Sequence, residues 1–143
     1  MDREAIYIAL FNKISAVADF KIASRRLRIW NQISPPDKPC LFMRQKEDTY
    51  DQQRSRPSKI TLNVEIYIYT DAGLDPNTIP ATQMNTILDD IDTALSPDNL
   101  VDHVQTLGGL VSHCWIDGPI LTDTGELDGD GIAVIPIKIL TTI

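Results

Sequence analysis

The stretch KITLNVEIYIYT, residues 59–70, alternates without a break. Ile60, Leu62, Val64, Ile66 and Ile68 fall on one side, and Thr61, Asn63, Glu65, Tyr67 and Tyr69 on the other. Period two over this length specifies a strand with one face on a core and one face partly wet. Val, Ile, Tyr and Thr also suit a pleated surface. The stretch is read as the central strand of an antiparallel or mixed sheet. What its polar, tyrosine-bearing face looks at is the question that bears on function.

Just before it, residues 45–58 (QKEDTYDQQRSRPS) are polar, charged and end next to Pro57. Lying between two strands, they read as the loop of a long hairpin. A loop of that length exceeds the usual hairpin range, and such loops are usually functional or disordered. Residues 40–44 (CLFMR) read as a buried strand. Further back, Arg25, Arg26 and Arg28 surround Leu27, Ile29 and Trp30 in a short strand or extended arm. Pro35, Pro36 and Pro39 then forbid regular structure, because each fixes φ and restricts its predecessor. Residues 2–18 predict an amphipathic helix, with Ile6, Leu10, Ile14 and Val17 at helical spacing and Asp2 and Glu4 at its N-terminus.

Beyond the central strand, DAGLDPN at 71–77 is turn chemistry. A second helix is expected over 78–95, with Met84, Ile87, Leu88, Ile91 and Leu95 as its apolar stripe, Thr78 as N-cap and Pro80 in the first turn. Two more strands are expected at 110–116 and 131–143, joined by a Gly- and Asp-rich turn at 117–130. Pro136 cannot donate to a ladder, which predicts an edge or bulged position for the last strand. The element order is α-(β)-β-β-α-β-β. Helices and strands do not alternate one by one, so the expectation is an α+β fold: two helices packed on one face of a mostly antiparallel four- to five-stranded sheet.

With 143 residues the chain is expected to form one domain, residues 1–143, with an ordinary core. No apolar run spans a bilayer, so no membrane partner is expected. The mixed charge of MDREAIYIALFNK does not fit a signal peptide. Cys40 and Cys114 are the only cysteines and read as small buried side chains. The net charge of −7 hides a split: residues 1–59 hold 12 Lys/Arg against 7 Asp/Glu, and residues 60–143 hold Lys138 alone against 13 Asp/Glu. A basic edge and an acidic edge on one fold would let copies meet head to tail. The acidic total and the lack of interleaved aromatic and basic residues weigh against a nucleic-acid module.

No constellation of residues carries recognisable chemistry. His113 and Cys114 are adjacent and, on a strand, point to opposite faces. Asp117, Asp123, Glu126, Asp128 and Asp130 supply oxygen ligands of the type hard cations take, but their spacing does not match a calcium loop. Gly108 and Gly109 precede a strand rather than a helix, which is not the geometry of a phosphate cradle. No catalytic residue, cofactor or metal is therefore expected. A thiol or metal-assisted hydrolase using Cys114 is the less favoured enzyme alternative.

Several stretches together carry a resemblance. They are SRR at 24–26 through Trp30, PCLF at 39–42, the alternating strand ending in Tyr67, Ile68 and Tyr69, Leu88–Asp89, TLGGLVSHCWIDGPI at 106–120, and IAVIPI at 132–137. From about residue 22 onward the chain resembles small proteins from the tail-morphogenesis regions of tailed phages and prophages. The element order is similar to that of the tail-terminator proteins of long-tailed phages. The resemblance implies a homo-oligomeric, hexameric ring in the virion tail, assembled in the host cytoplasm. Such a ring caps the tail tube, stops its polymerisation and meets the head–tail connector, with DNA only as passing cargo. A head–tail or neck adaptor, or a tail-completion protein, is the alternative. No functional residue is carried over from that family. From the residues themselves, contacts between subunits or to the tube are expected in the 45–58 loop (Lys46, Glu47, Asp48, Arg54, Arg56), in the arm (Arg25, Arg26, Arg28, Trp30), and on the polar strand face (Glu65, Tyr67, Tyr69).

Overall fold

A computed structural model describes residues 1–143. Its elements are α1 (Arg3–Ser15), β1 (Ile22–Ser24), two short 3-10 turns at Trp30–Gln32 and Pro35–Asp37, β2 (Cys40–Asp51), β3 (Lys59–Asp71), α2 (Ala81–Ala94), β4 (His113–Ile116), β5 (Leu121–Asp123) and β6 (Asp130–Thr142). The fold is α+β. The sheet runs β1-β2-β3-β6-β4, with β5 also on β6. Only the β1–β2 pair is parallel.

The alternation of 59–70 is realised as read. Ile60, Leu62, Val64, Ile66 and Ile68 are buried, and β3 pairs along its length with β2 on one side and β6 on the other. Ala133, Ile135, Ile137 and Ile139 of β6 extend the same apolar surface. Both helices cover that face, α1 through Ile6, Tyr7, Leu10 and Ile14, and α2 through Met84, Ile87 and Ile91. Asp2 caps α1, its carboxylate accepting from the Ala5 N–H at 3.1 Å.

On the opposite face a smaller cluster joins Ile33 to Cys40, Phe42 and Tyr69. The arm that follows β1 folds over this end of the sheet and covers it. Lys38 pins the arm's end: its ammonium, nearly removed from solvent, meets Asp130 at 2.9 Å at the start of β6.

Four expectations are corrected. The long loop is largely strand. β2 continues to Asp51, and only residues 52–58 form the hairpin tip. Between the pairs Gln45↔Val64 and Asp48↔Leu62, Lys46 and Glu47 face the single residue Asn63. This bulge reverses the side-chain parity beyond it. Asp48 and Tyr50 are thereby turned toward α1, where Arg3 donates to both. The polar composition hid the strand because a protruding hairpin arm buries little.

Second, Thr78 is not an N-cap. α2 begins at Ala81 after Pro80, with no side-chain cap. A residue before proline is pushed out of the helical region, so Ile79 cannot join the helix. Thr78 instead closes a turn onto the Asp75 carbonyl.

Third, β6 is not an edge strand. Pro136 sits opposite Glu65 in unbroken register. The Pro136 carbonyl accepts from the Asp117 N–H, on the side away from β3. In an antiparallel strand the N and O of one residue point the same way. The missing N–H therefore faces the gap where the chain leaves β4 and has not yet entered β5, and no bond to β3 is lost.

Fourth, the strand expected at 110–116 is only His113–Ile116, and the turn expected at 117–130 contains β5.

Ile66 lies at the centre of the core, beside Met43 and Ile135. Ile66→Ala should lower unfolding stability by roughly 3 kcal/mol in urea titration, with the slope unchanged, from lost burial plus the cavity left behind.

Candidate assembly surface

Three places in the fold hold the polar residues that the core does not need: the helix-free face of the sheet, the arm over its β1–β2 end, and the hairpin tip.

On the sheet face, Arg44, Glu65 and Pro136 lie in one row across β2, β3 and β6. Lys46 meets Glu65 at 2.7 Å, and the Tyr67 hydroxyl donates to Glu65 at 2.6 Å. Partial burial pushes the Glu65 carboxyl up. The hydrogen bonds from Lys46 and Tyr67 outweigh it and hold the group below its ordinary value. Burial pushes the Tyr67 phenol up, and its bond to Glu65 adds to that. Further along, Lys138 meets Asp117 at 2.9 Å, and the Trp115 indole donates to the same carboxylate at 3.2 Å. Those two bonds bring Asp117 below the usual carboxylate value. His113 stacks on Trp115 with ring centroids 4.7 Å apart. A shallow hollow of about 300 Å³ lies between these groups, lined by Glu65, Asp117, Pro119, Leu121, Val134 and Pro136.

The expected site residues separate according to this geometry. Tyr69 is buried within the chain, its ring 5.5 Å from Phe42 and its hydroxyl donating to the Arg28 carbonyl at 2.7 Å. Burial pushes its phenol up to about 12. It anchors the arm and is withdrawn from any outer surface. Arg25 turns the other way, pairing with Glu4 on α1, donating to Gln45 at 2.9 Å and lying over the Tyr7 ring. Asp48 is held by Arg3, and Lys46 by Glu65. Arg26, Arg28, Trp30, Glu47, Arg54 and Arg56 remain exposed. The arginines of the arm are thus not one cluster: Arg25 is an internal strut, and Arg26 and Arg28 face outward.

Cys114 points into the core and His113 to the opposite face, as two neighbours on a strand must. Burial pushes the Cys114 thiol up to about 12 and the Cys40 thiol up to about 11. A thiol so placed is a poor source of thiolate. Four of the five carboxylates of the acid-rich turn are engaged in bonds within the chain. Asp123 accepts from the Gly125 N–H and Asp128 from the Asp130 N–H, while Asp117 and Asp130 hold lysines. No group of three or more His, Cys, Asp or Glu side chains is placed to hold a metal ion.

Sequence reasoning missed the clamp behind the TLGG turn. Asp98 accepts from the Thr106 N–H at 2.7 Å, the Thr106 hydroxyl and the Gly108 N–H. Buried Gln105 bridges the Ser96 carbonyl and the Leu107 N–H. Leu107, Gly108 and Gly109 all have positive φ, 51°, 74° and 91°. The Gly-Gly pair was the visible signal of that conformation.

No protein-family model matches the chain, and no curated protein matches it significantly. Among solved structures, the fold is similar to a chain of one described as "Virion of native gene transfer agent (GTA) particle", with TM-score 0.55 and 10% sequence identity. The similarity covers 95% of this chain and 93% of that one. At this identity the likeness establishes a shared fold.

Two outcomes follow from the geometry. Glu65 has a depressed folded-state value, so its contribution to stability is present above about pH 4.3 and disappears as pH falls through the folded value. The stability gap between wild type and Glu65→Gln, read by urea titration, should be widest near pH 7 and close toward pH 3. Iodoacetamide at pH 8 should leave Cys40 and Cys114 unmodified in the folded protein and alkylate both in urea, as mass spectrometry would show.

Proposed function

We propose that this chain is a structural virion component, not an enzyme, and that its copies close into a ring, hexameric by resemblance, that caps a tail tube and meets the head connector. Its partners are itself, the tube protein and the connector protein, with DNA passing through as cargo. The observation that carries the reading is where the fold puts its uncompensated charge. Arg26, Arg28, Arg54 and Arg56 stand on the β1–β2 side and the hairpin tip, and none of them is in an ion pair. Asp89, Asp90 and Asp92 stand on α2 and Asp102 beyond it, also outside any ion pair. Unlike surfaces on separate parts of one subunit favour heterologous contacts, and these close into rings when the rotation allows. The likeness to a chain of a virion particle, along almost the whole length of both, supports the virion setting.

The outward residues suit such contacts. Trp30 is 40% exposed and next to Ile29 at 56%, so an apolar anchor stands beside Arg28. Aromatic and arginine side chains of this kind are enriched where interfaces bind most strongly. Tyr67 is half-buried and hydrogen-bonded, so a covering subunit would find it already ordered.

Native mass spectrometry and negative-stain imaging test the reading. The expected result is a closed ring of six times the 16.0 kDa chain mass, which weakens as ionic strength rises. A species that stays monomeric at high protein concentration and low salt would count against the ring. A ring that binds isolated connector but never tail tube would favour the neck-adaptor role.

A further inference from the structure

At the end of the sheet opposite the hairpin tip lies a groove of about 640 Å³, between the start of α2 and the link from α1 to β1. Ile79, Pro80, Ile87 and Pro39 give it apolar walls. Its charge comes from Asp19, Asp71 and Asp90, against Lys21 alone. None of the three carboxylates is in an ion pair. Asp71 accepts only from the nearby Gly73 N–H. Ile79, on the rim, is 71% exposed.

The hairpin tip has the complementary chemistry. Residues 52–58 (QQRSRPS) carry two arginines and no acid. Ser55 at the apex has φ 63°, a tight reversal between Arg54 and Arg56. Guanidinium forks suit carboxylates, and Pro57 offers an apolar surface for the walls. The groove volume falls in the range that holds a compact ligand or a few side chains.

Tip and groove cannot meet within one copy. β3 runs 13 residues, with the tip at its Lys59 end and the groove at its Asp71 end. At about 3.3 Å per residue the two are on the order of 40 Å apart. We propose that the groove receives the hairpin tip of the next copy, Arg54 and Arg56 meeting Asp19, Asp71 and Asp90. This rests on the ring reading and supplies its head-to-tail joint. A contact between opposite ends of the subunit is heterologous, so each copy gives one tip and receives one.

A charge swap tests the pairing. R54E/R56E and D19K/D90K should each raise the subunit dissociation constant by at least about tenfold, and the fourfold variant should return to within about threefold of wild type. Glu126→Lys, in the exposed turn before β6 and outside the groove lining, should assemble as wild type does. Circular dichroism checks that every variant is folded. A second probe needs no charge change: a mixture of Gln53→Cys and Gln83→Cys proteins should form a disulfide-linked dimer that neither gives alone, since Cys40 and Cys114 are buried. If wild type forms the ring while D19K/D90K assembles normally, or the fourfold variant is not restored and the cysteine pair does not link, the joint is wrong and the ring reading stands. If wild type never assembles, the ring reading fails and the joint with it.

Discussion

β3 pairs with β2 from Lys59 to Tyr69 and with β6 from Lys59 to Asp71, and it buries one full face beneath two helices. That double demand fixes the rest. A row of branched side chains with no polar interruption leaves one register in which β2 and β6 can pair without turning polar groups into the core. The helices have one place to bury Leu10, Ile14, Met84 and Ile91. Everything polar is then forced to the other face, the strand ends or the loops. The distribution of charge over the surface is a consequence of the core pattern, because the core leaves it nowhere else to go.

The two departures from regularity are both placed by this constraint. The bulge at Lys46 and Glu47 lets β2 keep pairing with β3 while its outer half turns over, so that Asp48 and Tyr50 reach Arg3. Pro136 is tolerated in a central strand because its absent donor would face the break between β4 and β5. The bulge interrupts the β2–β3 ladder opposite Asn63, with the extra residue on β2, whereas at Pro136 the β3–β6 ladder is kept and the irregularity faces outward.

How much was legible follows from the same asymmetry. The isoleucine alternation, the stripe of α2 and the acidic start of α1 are local patterns, and they appear in the structure where the sequence puts them. The hairpin arm reads as loop in the sequence because exposed strand residues carry no periodic apolar signal. Tyr69 reads as surface in the sequence because alternation gives the face but not what lies over it. The covering group is the arm through Arg28 and Ile33, some forty residues away in the chain. Arg25 and Arg28 look alike in sequence. Only the fold separates the internal strut from the outward charge. The groove under α2 had no sequence signal, since Asp19, Asp71 and Asp90 come from three unrelated segments.

The same geometry bears on how a ring of such subunits would hold together. Arg54 and Arg56 stand exposed at the tip of a two-stranded hairpin, in no ion pair within the chain. Salt bridges at such exposed sites contribute little each. Docking two guanidinium groups at once into a partly apolar groove desolvates them together and ties the geometry of one joint to that of the next. The apolar anchor at Trp30 stands on the β1–β2 side of the sheet and not on the hairpin, so it can act in a second contact. A joint that is weak alone but repeated around a closed ring gains from closure, because opening the ring breaks two joints to free one subunit. Modest, salt-sensitive contacts on an acidic chain are therefore compatible with a durable assembly, and a large apolar interface is not required.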